Sequence, residues 1–482
     1  MNPKHVAIIG GGVSGLAAGI HLARQGARVS LFEANEALGG CCSTTEMDGY
    51  TFNNGAMFIA VPRLLDHAFA RLGLDRAAQL PLRRIAVPQA SQLPSGALIT
   101  LGDRRHIRID GKDSAARTAT LQAELERCMD KWLPLLDIFT DQLLPQPLSL
   151  PRVIAKAWRH LPKLRGSLAD ELKRSFSDPE ARAALAAVTL YAGLPIERTP
   201  VSLIVGLISM LEDGLHLPEG GMGSIGALLA ATLRQLGGQI HTGAKVAKIA
   251  IKDKRAQGLL LAGGEQIACD AVISTVGGMN TFSHLADSDQ VPRAMRRRVQ
   301  GAPLSHRTLS IQLGLANRLQ PAAHSVNHIP LMEEQKRMLA PQAGGIKWFS
   351  YTVPTLPMPE LAPPGGSIVE MFAAVDENLP LEAWTEQAKT AAADAAIAAL
   401  AQQQPLEIVT RRITSPKNYA ERMHLFGGAV YGLSPAARPD QQFPHKTPID
   451  GLYLAGQTTY PGFGVATAMF SGVFAAEALN GR

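Results

Sequence analysis

Residues 5–34 read HVAIIGGGVSGLAAGIHLARQGARVSLFEA. An apolar run meets Gly10-Gly11-Gly12-Val13-Ser14-Gly15, then a helix-like segment, then a second apolar run that ends at Glu33-Ala34. This spacing predicts a strand, a tight turn, a helix and a parallel strand, the unit that holds a dinucleotide on its turn. Gly10 can take the backbone angles the turn needs, and Gly12 has no Cβ to hold the chain off a pyrophosphate. Gly15 lets the helix lie close against the strand. The helix start at Val13 and Ser14 offers unpaired N–H groups and a positive dipole end to phosphate oxygens. Glu33 can accept hydrogen bonds from ribose hydroxyls, and its charge disfavours a 2′-phosphate.

The 482 residues suffice for two or three domains and a large core. With 46% hydrophobic and 18% charged residues the chain reads as globular. No apolar run reaches the roughly eighteen residues that a membrane span needs. The first strand begins by residue 5, which leaves no room for a signal peptide. Cys41, Cys42, Cys128 and Cys269 show neither metal-ligand spacing nor a disulfide framework, so reduced thiols, no metal and a cytoplasmic location are expected. The formal charge is +6, but the basic residues are dispersed and only Arg296-Arg297-Arg298 forms a run. Nucleic acid is therefore not an expected partner.

Downstream of the opening unit, Gly39-Gly40 is a second glycine pair, placed where the loop can approach the cofactor. A helix is expected near 62–72 with Gly73 behind it. Residues 81–110 read as short strands, RRIAVPQ, GALITLG and RHIRID. Residues 114–215 read as helical, and eight prolines from Pro134 to Pro200 predict several short helices packed as a cap rather than one long rod. A glycine turn, an amphipathic helix and two short strands fill 217–251, and a hairpin and another apolar strand follow to Thr275. Strands are expected at 305–315, 346–354 and 367–375, and a helix near 383–401. The end, IDGLYLAGQTTYPGFGVATAMFSGVFAAEALNG, repeats strand, glycine turn and helix.

These motifs together resemble the FAD-dependent oxidoreductases of the phytoene desaturase and carotenoid isomerase type, within the wider flavin amine oxidases. The resemblance rests on GGGxSGLAAGxxLAxxGxxVxxxEA, the following LGG, PEGGMGSI, DAVIST and LYLAGQTTYPGFGVATAMFSG. It implies FAD as cofactor, with Gly10, Gly12 and Gly15 around the pyrophosphate and Glu33 at the adenosine ribose. Val246 matches a residue whose backbone contacts the adenine. Gly456 matches the glycine beside the phosphates and ribityl chain, and Gly464, Val465, Ala466 and Thr467 would lie by the isoalloxazine ring, with the helix dipole favouring negative charge there. One departure stands out: the family often carries Gly-Gly-Arg, and here Gly39-Gly40 is followed by Cys41.

The implied architecture is α/β. A discontinuous Rossmann-like FAD-binding domain is expected from 1–75, 217–280 and 415–482. An α+β substrate domain, with a mixed sheet, is expected from 76–216 and 281–414, with 114–215 as its helical cap.

A flavin accepts hydride from a C–H held in near-attack geometry, and completing an alkene also needs a proton acceptor or donor. Tyr431, His424, Tyr460 and Glu370 are candidates, each with an equally ordinary packing role. Lys347, in GGIKWFSYTVP on an expected strand, is the position most like the lysine that holds a water near flavin N5 in amine oxidases.

In PRVIAKAWRHL, residues 151–161, Arg152, Lys156 and Arg159 recur on one helical side, with Ile154, Ala157, Trp158 and Leu161 opposite. The pattern suits a surface helix that packs its stripe inward, or one that lies in a membrane interface as a peripheral contact. The first expectation for function is desaturation, isomerisation or saturation of a C–C bond in an apolar, polyene- or isoprenoid-like substrate. The second is an amine or pyrroline oxidase with O₂ as acceptor. The third is a non-enzymatic binder of prenylated proteins, against which the intact glycine set and Glu33 argue.

Overall fold

The computed structural model describes residues 3–102, 106–341 and 346–481. Arg105, at the start of RHIRID, and Gly344-Gly345 lie outside the described residues.

Five parallel strands form the central sheet, in the order Gln239–His241, Arg28–Phe32, His5–Ile9, Ala271–Ser274 and Leu452–Leu454. Their registers run Val6 beside Val29 and Ala271, and Val272 beside Leu452. Val6, Ala7 and Ile8 are fully buried because the sheet is covered on both faces, as parallel sheets are. On one face lie the helices Val13–Arg24, Gly223–Gln235 and Val465–Leu479, which share a core with Leu16, Ile20, Leu229, Leu233 and Phe470. On the other, the three-stranded antiparallel sheet Val246–Lys252, Arg255–Leu261 and Gln266–Ala268 closes a smaller core.

A second, mixed sheet of eight strands draws on 89–110 and 308–414. It is antiparallel except where Ser325–His328 runs parallel to Gln89–Gln92. Leu309, Ile311 and Leu313 turn one face onto the helix Glu386–Ala401. The opposite face is polar and buried: Gln312 sits across from Glu370 and Arg412, and Thr352 across from Glu370.

Residues 114–212 form the helical layer above this polar face. The eight prolines do not all break it. The helix Ser114–Asp137 runs for 24 residues through Pro134 and continues as a π-turn, Ile138–Leu143. Proline costs one backbone hydrogen bond there, and burial of Trp132, Leu135 and Leu136 offsets it. Elsewhere proline starts helices, as at Pro179, where the Asp178 carboxylate caps Glu180 and Ala181 N–H. The side-chain amide of Gln89 donates to the Ala184 carbonyl, tying this helix to the sheet, and that of Gln335, in the 3-10 segment Met332–Leu339, donates to the Ala183 carbonyl.

The expected strand over 346–354 is shorter, Phe349–Thr352. The helix in 151–161 spans Leu150–Ala157, followed by a 3-10 turn Leu161–Leu164.

Candidate active site

The glycine turn forms a cradle at the carboxyl end of the first strand. Gly10 has φ +103°, and a Cβ there would come within 2.5 Å of Thr275 Oγ1. At Gly15 a Cβ would meet the Gly10 carbonyl at 2.0 Å, so only glycine lets the helix close on the turn. Gly12 is different: a Cβ there would meet only Gly40 Cα, at 3.9 Å. The space beside Gly12 is therefore open, bordered by the Gly39-Gly40 loop, which is pinned by a Gly39 N–H bond to the Gly11 carbonyl at 2.8 Å.

The helix Val13–Arg24 starts with no side-chain cap and no acidic residue in its first turn. The Ser14 hydroxyl is buried without a hydrogen-bond partner. A buried hydroxyl left unmet at an uncapped helix start fits phosphate oxygens as partners. The Glu33 carboxylate, buried beside it, accepts from Gly11 N at 2.7 Å and from Asn35 N and Nδ2 at 2.8 and 3.0 Å. Three acceptor positions are thus used of roughly four, and one remains for a ribose hydroxyl. Ala244 N donates to the Glu33 carbonyl, which brings the strand start at Val246 to the same edge. The donor set and the open cradle fit the adenosine diphosphate half of FAD.

A second uncapped helix start faces the same side of the sheet. Gly464, φ +113°, precedes Val465–Leu479, whose first turn also lacks acidic residues. Gly456, φ +99°, ends the last strand, and a Cβ there would press on the Thr275 carbonyl at 3.1 Å. Thr459 and Ser471 hydroxyls lock this turn to the helix, with Gly456 N donating to Ser471 Oγ at 2.9 Å.

Next to Gly464, the Phe463 ring lies 4.6 Å from Tyr431, and Tyr431 lies 5.5 Å from His306. The Tyr431 hydroxyl donates to the Tyr191 carbonyl, and Tyr191 meets Phe58 edge-on at 5.5 Å. Burial pushes His306 down to about 4 and the Tyr431 hydroxyl well above its usual range, so both are neutral at pH 7. Phe58, Tyr191 and His306 carry no local motif, and only the fold brings them to Tyr431.

The other candidates fall elsewhere. Lys347 is exposed, precedes the strand rather than lying on it, and rests its ammonium 4.8 Å above the Trp348 ring. The Tyr460 ring stacks on Phe474 and its hydroxyl donates to the Leu143 carbonyl at 3.1 Å, an anchor for the π-turn. His424 takes a left-handed φ of +54°, and burial lowers its pKa. Glu370 is buried and pushed up to about 7 by desolvation. It accepts from Asn53 N at 3.0 Å, while Gln312 donates to the Asn53 carbonyl and accepts from Arg412 at 3.0 Å. This network holds the segment that leads to Gly55, Ala56 and Met57, where Ala56 N bonds the Cys41 carbonyl at 2.8 Å. Cys41 carries no charge to replace the family arginine, since burial raises its thiol to about 11. Cys41, Cys42, Cys128 and Cys269 are all free. Among the described residues no His, Cys, Asp and Glu group gathers to hold a metal.

The family model for flavin containing amine oxidoreductases matches residues 13–480. The chain is 24% identical to a 4,4′-diapophytoene desaturase (4,4′-diapolycopene-forming) of Methylomonas sp, over 99% of this chain and 96% of that protein. It is 25% identical to the chloroplastic prolycopene isomerase of Daucus carota, over 98% and 79%. The fold matches an oxidoreductase from Methanosarcina mazei with TM-score 0.65 at 19% identity, covering 98% and 100% of the two chains. It matches putrescine oxidase with putrescine bound at TM-score 0.61 and 16% identity, over 100% and 99%. The chain thus belongs to the flavin-containing amine oxidoreductase family, as an oxidoreductase whose cofactor is FAD.

Proposed function

We propose that this enzyme desaturates or isomerises a C–C bond in an apolar polyene or isoprenoid. The observation that carries the reading is the neutral aromatic wall at Phe463, Tyr431 and His306, beside the helix start that carries Gly464. Relatives named as a diapophytoene desaturase, a phytoene desaturase and a prolycopene isomerase match over 98–99% of the chain and support it. An amine oxidase would use a lysine-held water, and the nominated Lys347 is spent on the surface against Trp348.

In this reading Gly10, Gly12, Val13, Ser14 and Gly15 take the pyrophosphate. Glu33 and Ala34 border the ribose, and Val246 the adenine. Gly39, Gly40 and Gly456 lie along the phosphates, and Gly464, Val465 and Ala466 meet the ring. Bound FAD supplies the acceptor for the two electrons leaving a C–H bond. The wall's work is to exclude water and hold the chain of the substrate flat. Incubating holoprotein with an acyclic polyene tests this: absorbance moves to longer wavelength as conjugation lengthens, or the geometry changes at constant mass. An unchanged polyene together with turnover of an amine overturns it.

The cap also supports a peripheral membrane contact. Among the described residues ten large hydrophobic side chains are exposed, and five fall within 148–161: Leu148, Leu150, Ile154, Trp158 and Leu161. Leu150 is 69% exposed and Trp158 57%, whereas Ala157 alone is turned inward. Arg152, Lys156 and Arg159 accompany them. An apolar stripe left in water beside three cations suits an anionic bilayer surface, where each cation contributes about 1 kcal/mol. An apolar substrate would then enter from lipid. Among the described residues no helix is long and apolar enough to cross a membrane.

A further inference from the structure

A groove of about 450 Å³ opens on the cap between the long helix Ser114–Asp137 and the end of the helix Leu168–Ser175. Its lining includes Arg127, Lys131, Lys173 and Arg174, with Cys128 and Phe176 buried among its walls. Arg127, Cys128 and Lys131 follow Glu124 at three, four and seven residues, so one helical face presents them together.

The carboxylates of this region are already committed. Glu124 accepts from Ser177 N with both oxygens, at 3.1 and 3.2 Å. Glu171, whose side chain is 1% exposed, takes Lys131 at 2.6 Å, Trp132 Nε1 at 2.9 Å and Arg174 at 2.9 Å. Lys173 has a loose surface pair with Glu333 at 3.8 Å. Among the described residues Arg127 makes no hydrogen bond or ion pair and is exposed. Four cations stand against the internally bonded Glu124 and Glu171 and the loosely held Glu333, a surplus of one positive charge at the groove, with Arg127 the cation left without a carboxylate among the described residues. Gathering like charges in one concavity costs energy that a dianion returns, and the planar forks of Arg127 and Arg174 suit tetrahedral oxyanions.

We propose that this groove binds the doubly charged phosphate of a phosphate monoester. The volume exceeds that of the phosphate alone, so the ester's organic part has room against Cys128 and Phe176. The same chemistry is offered by a soluble metabolite and by the headgroup of phosphatidate in a membrane.

Calorimetric titration of the holoprotein with glycerol 3-phosphate, and sedimentation with vesicles of phosphatidylcholine with or without phosphatidate, separate these sources. The variant is Arg127→Ala with Lys173→Ala, which spares the side chains bonded to Glu171; unchanged flavin content confirms that it folds. One saturable equivalent of glycerol 3-phosphate, weakened about tenfold or more in the variant and by added salt, supports the site with a soluble ligand. Phosphatidate-dependent sedimentation lost in the variant, without ester binding, supports it with a lipid ligand. No binding of either probe, or binding that the variant leaves unchanged, overturns the proposal.

Discussion

Gly472, in the last helix, packs so close to Ser14, in the first, that a Cβ on Gly472 would stand 2.1 Å from the Ser14 carbonyl. The two helices whose uncapped starts flank the candidate cofactor site therefore press backbone against backbone, although their sequences lie at opposite ends of the chain. Gly472→Ala forces them apart. The expected cost is about 1–3 kcal/mol of stability, together with lower flavin retention, since Ser14 moves with its helix. Thermal melts and the flavin-to-protein ratio check this; an unaltered melt and ratio would show that the contact is slack.

Gly12 separates binding from folding. Its backbone, φ −71° and ψ 172°, is open to any residue, and a Cβ there touches nothing closer than 3.9 Å. Gly12→Val should leave the apoprotein's stability within about 1 kcal/mol while abolishing flavin uptake, because its methyls occupy the phosphate space. Equilibrium dialysis against FAD reads this directly, and full uptake by the variant refutes the assignment.

The opening turn was legible because strand, turn, helix and Glu33 are settled by neighbours within thirty residues. The same holds for Gly456 and Gly464. The wall at Tyr431 was not, since Phe58, Tyr191 and His306 meet it from segments far apart in the chain. Nor was the Asn53, Gln312, Glu370 and Arg412 network, which depends on strand register. Lys347 stands two residues before the strand Phe349–Thr352, and nothing local distinguishes a lysine on a strand from one just before it. For 151–161 the amphipathic period was plain, but whether its apolar side met protein or solvent depended on the surrounding cap.

Glu370 gives a pH signature. Its folded value, about 7, lies above the usual 4.5. Below pH 4.5 the carboxyl is protonated folded or unfolded. Between 4.5 and 7 the unfolded chain ionises first, so the wild type loses stability, by at most about 3 kcal/mol. Glu370→Gln keeps an acceptor for Asn53 N and does not titrate. The variant should therefore gain on the wild type as pH rises from 5 to 8. A stability difference that stays flat across that range contradicts the raised value.

Arg152, Lys156 and Arg159 changed together to Glu should abolish sedimentation with anionic vesicles, and Trp158→Ala should weaken it severalfold. Flavin content and melting temperature should hold, since these side chains are solvated or only partly buried. Wild-type protein that never sediments would remove the membrane contact.

The most direct measurement is anaerobic mixing of the holoprotein with an acyclic polyene in one syringe and a cyclic imine or amine in another, following the oxidised-flavin band. Bleaching by the polyene with stoichiometric appearance of a more conjugated product, or a changed polyene geometry at constant mass without bleaching, is the predicted result. Bleaching by the amine alone would reassign the wall around Phe463 and Tyr431 to C–N chemistry and contradict the account.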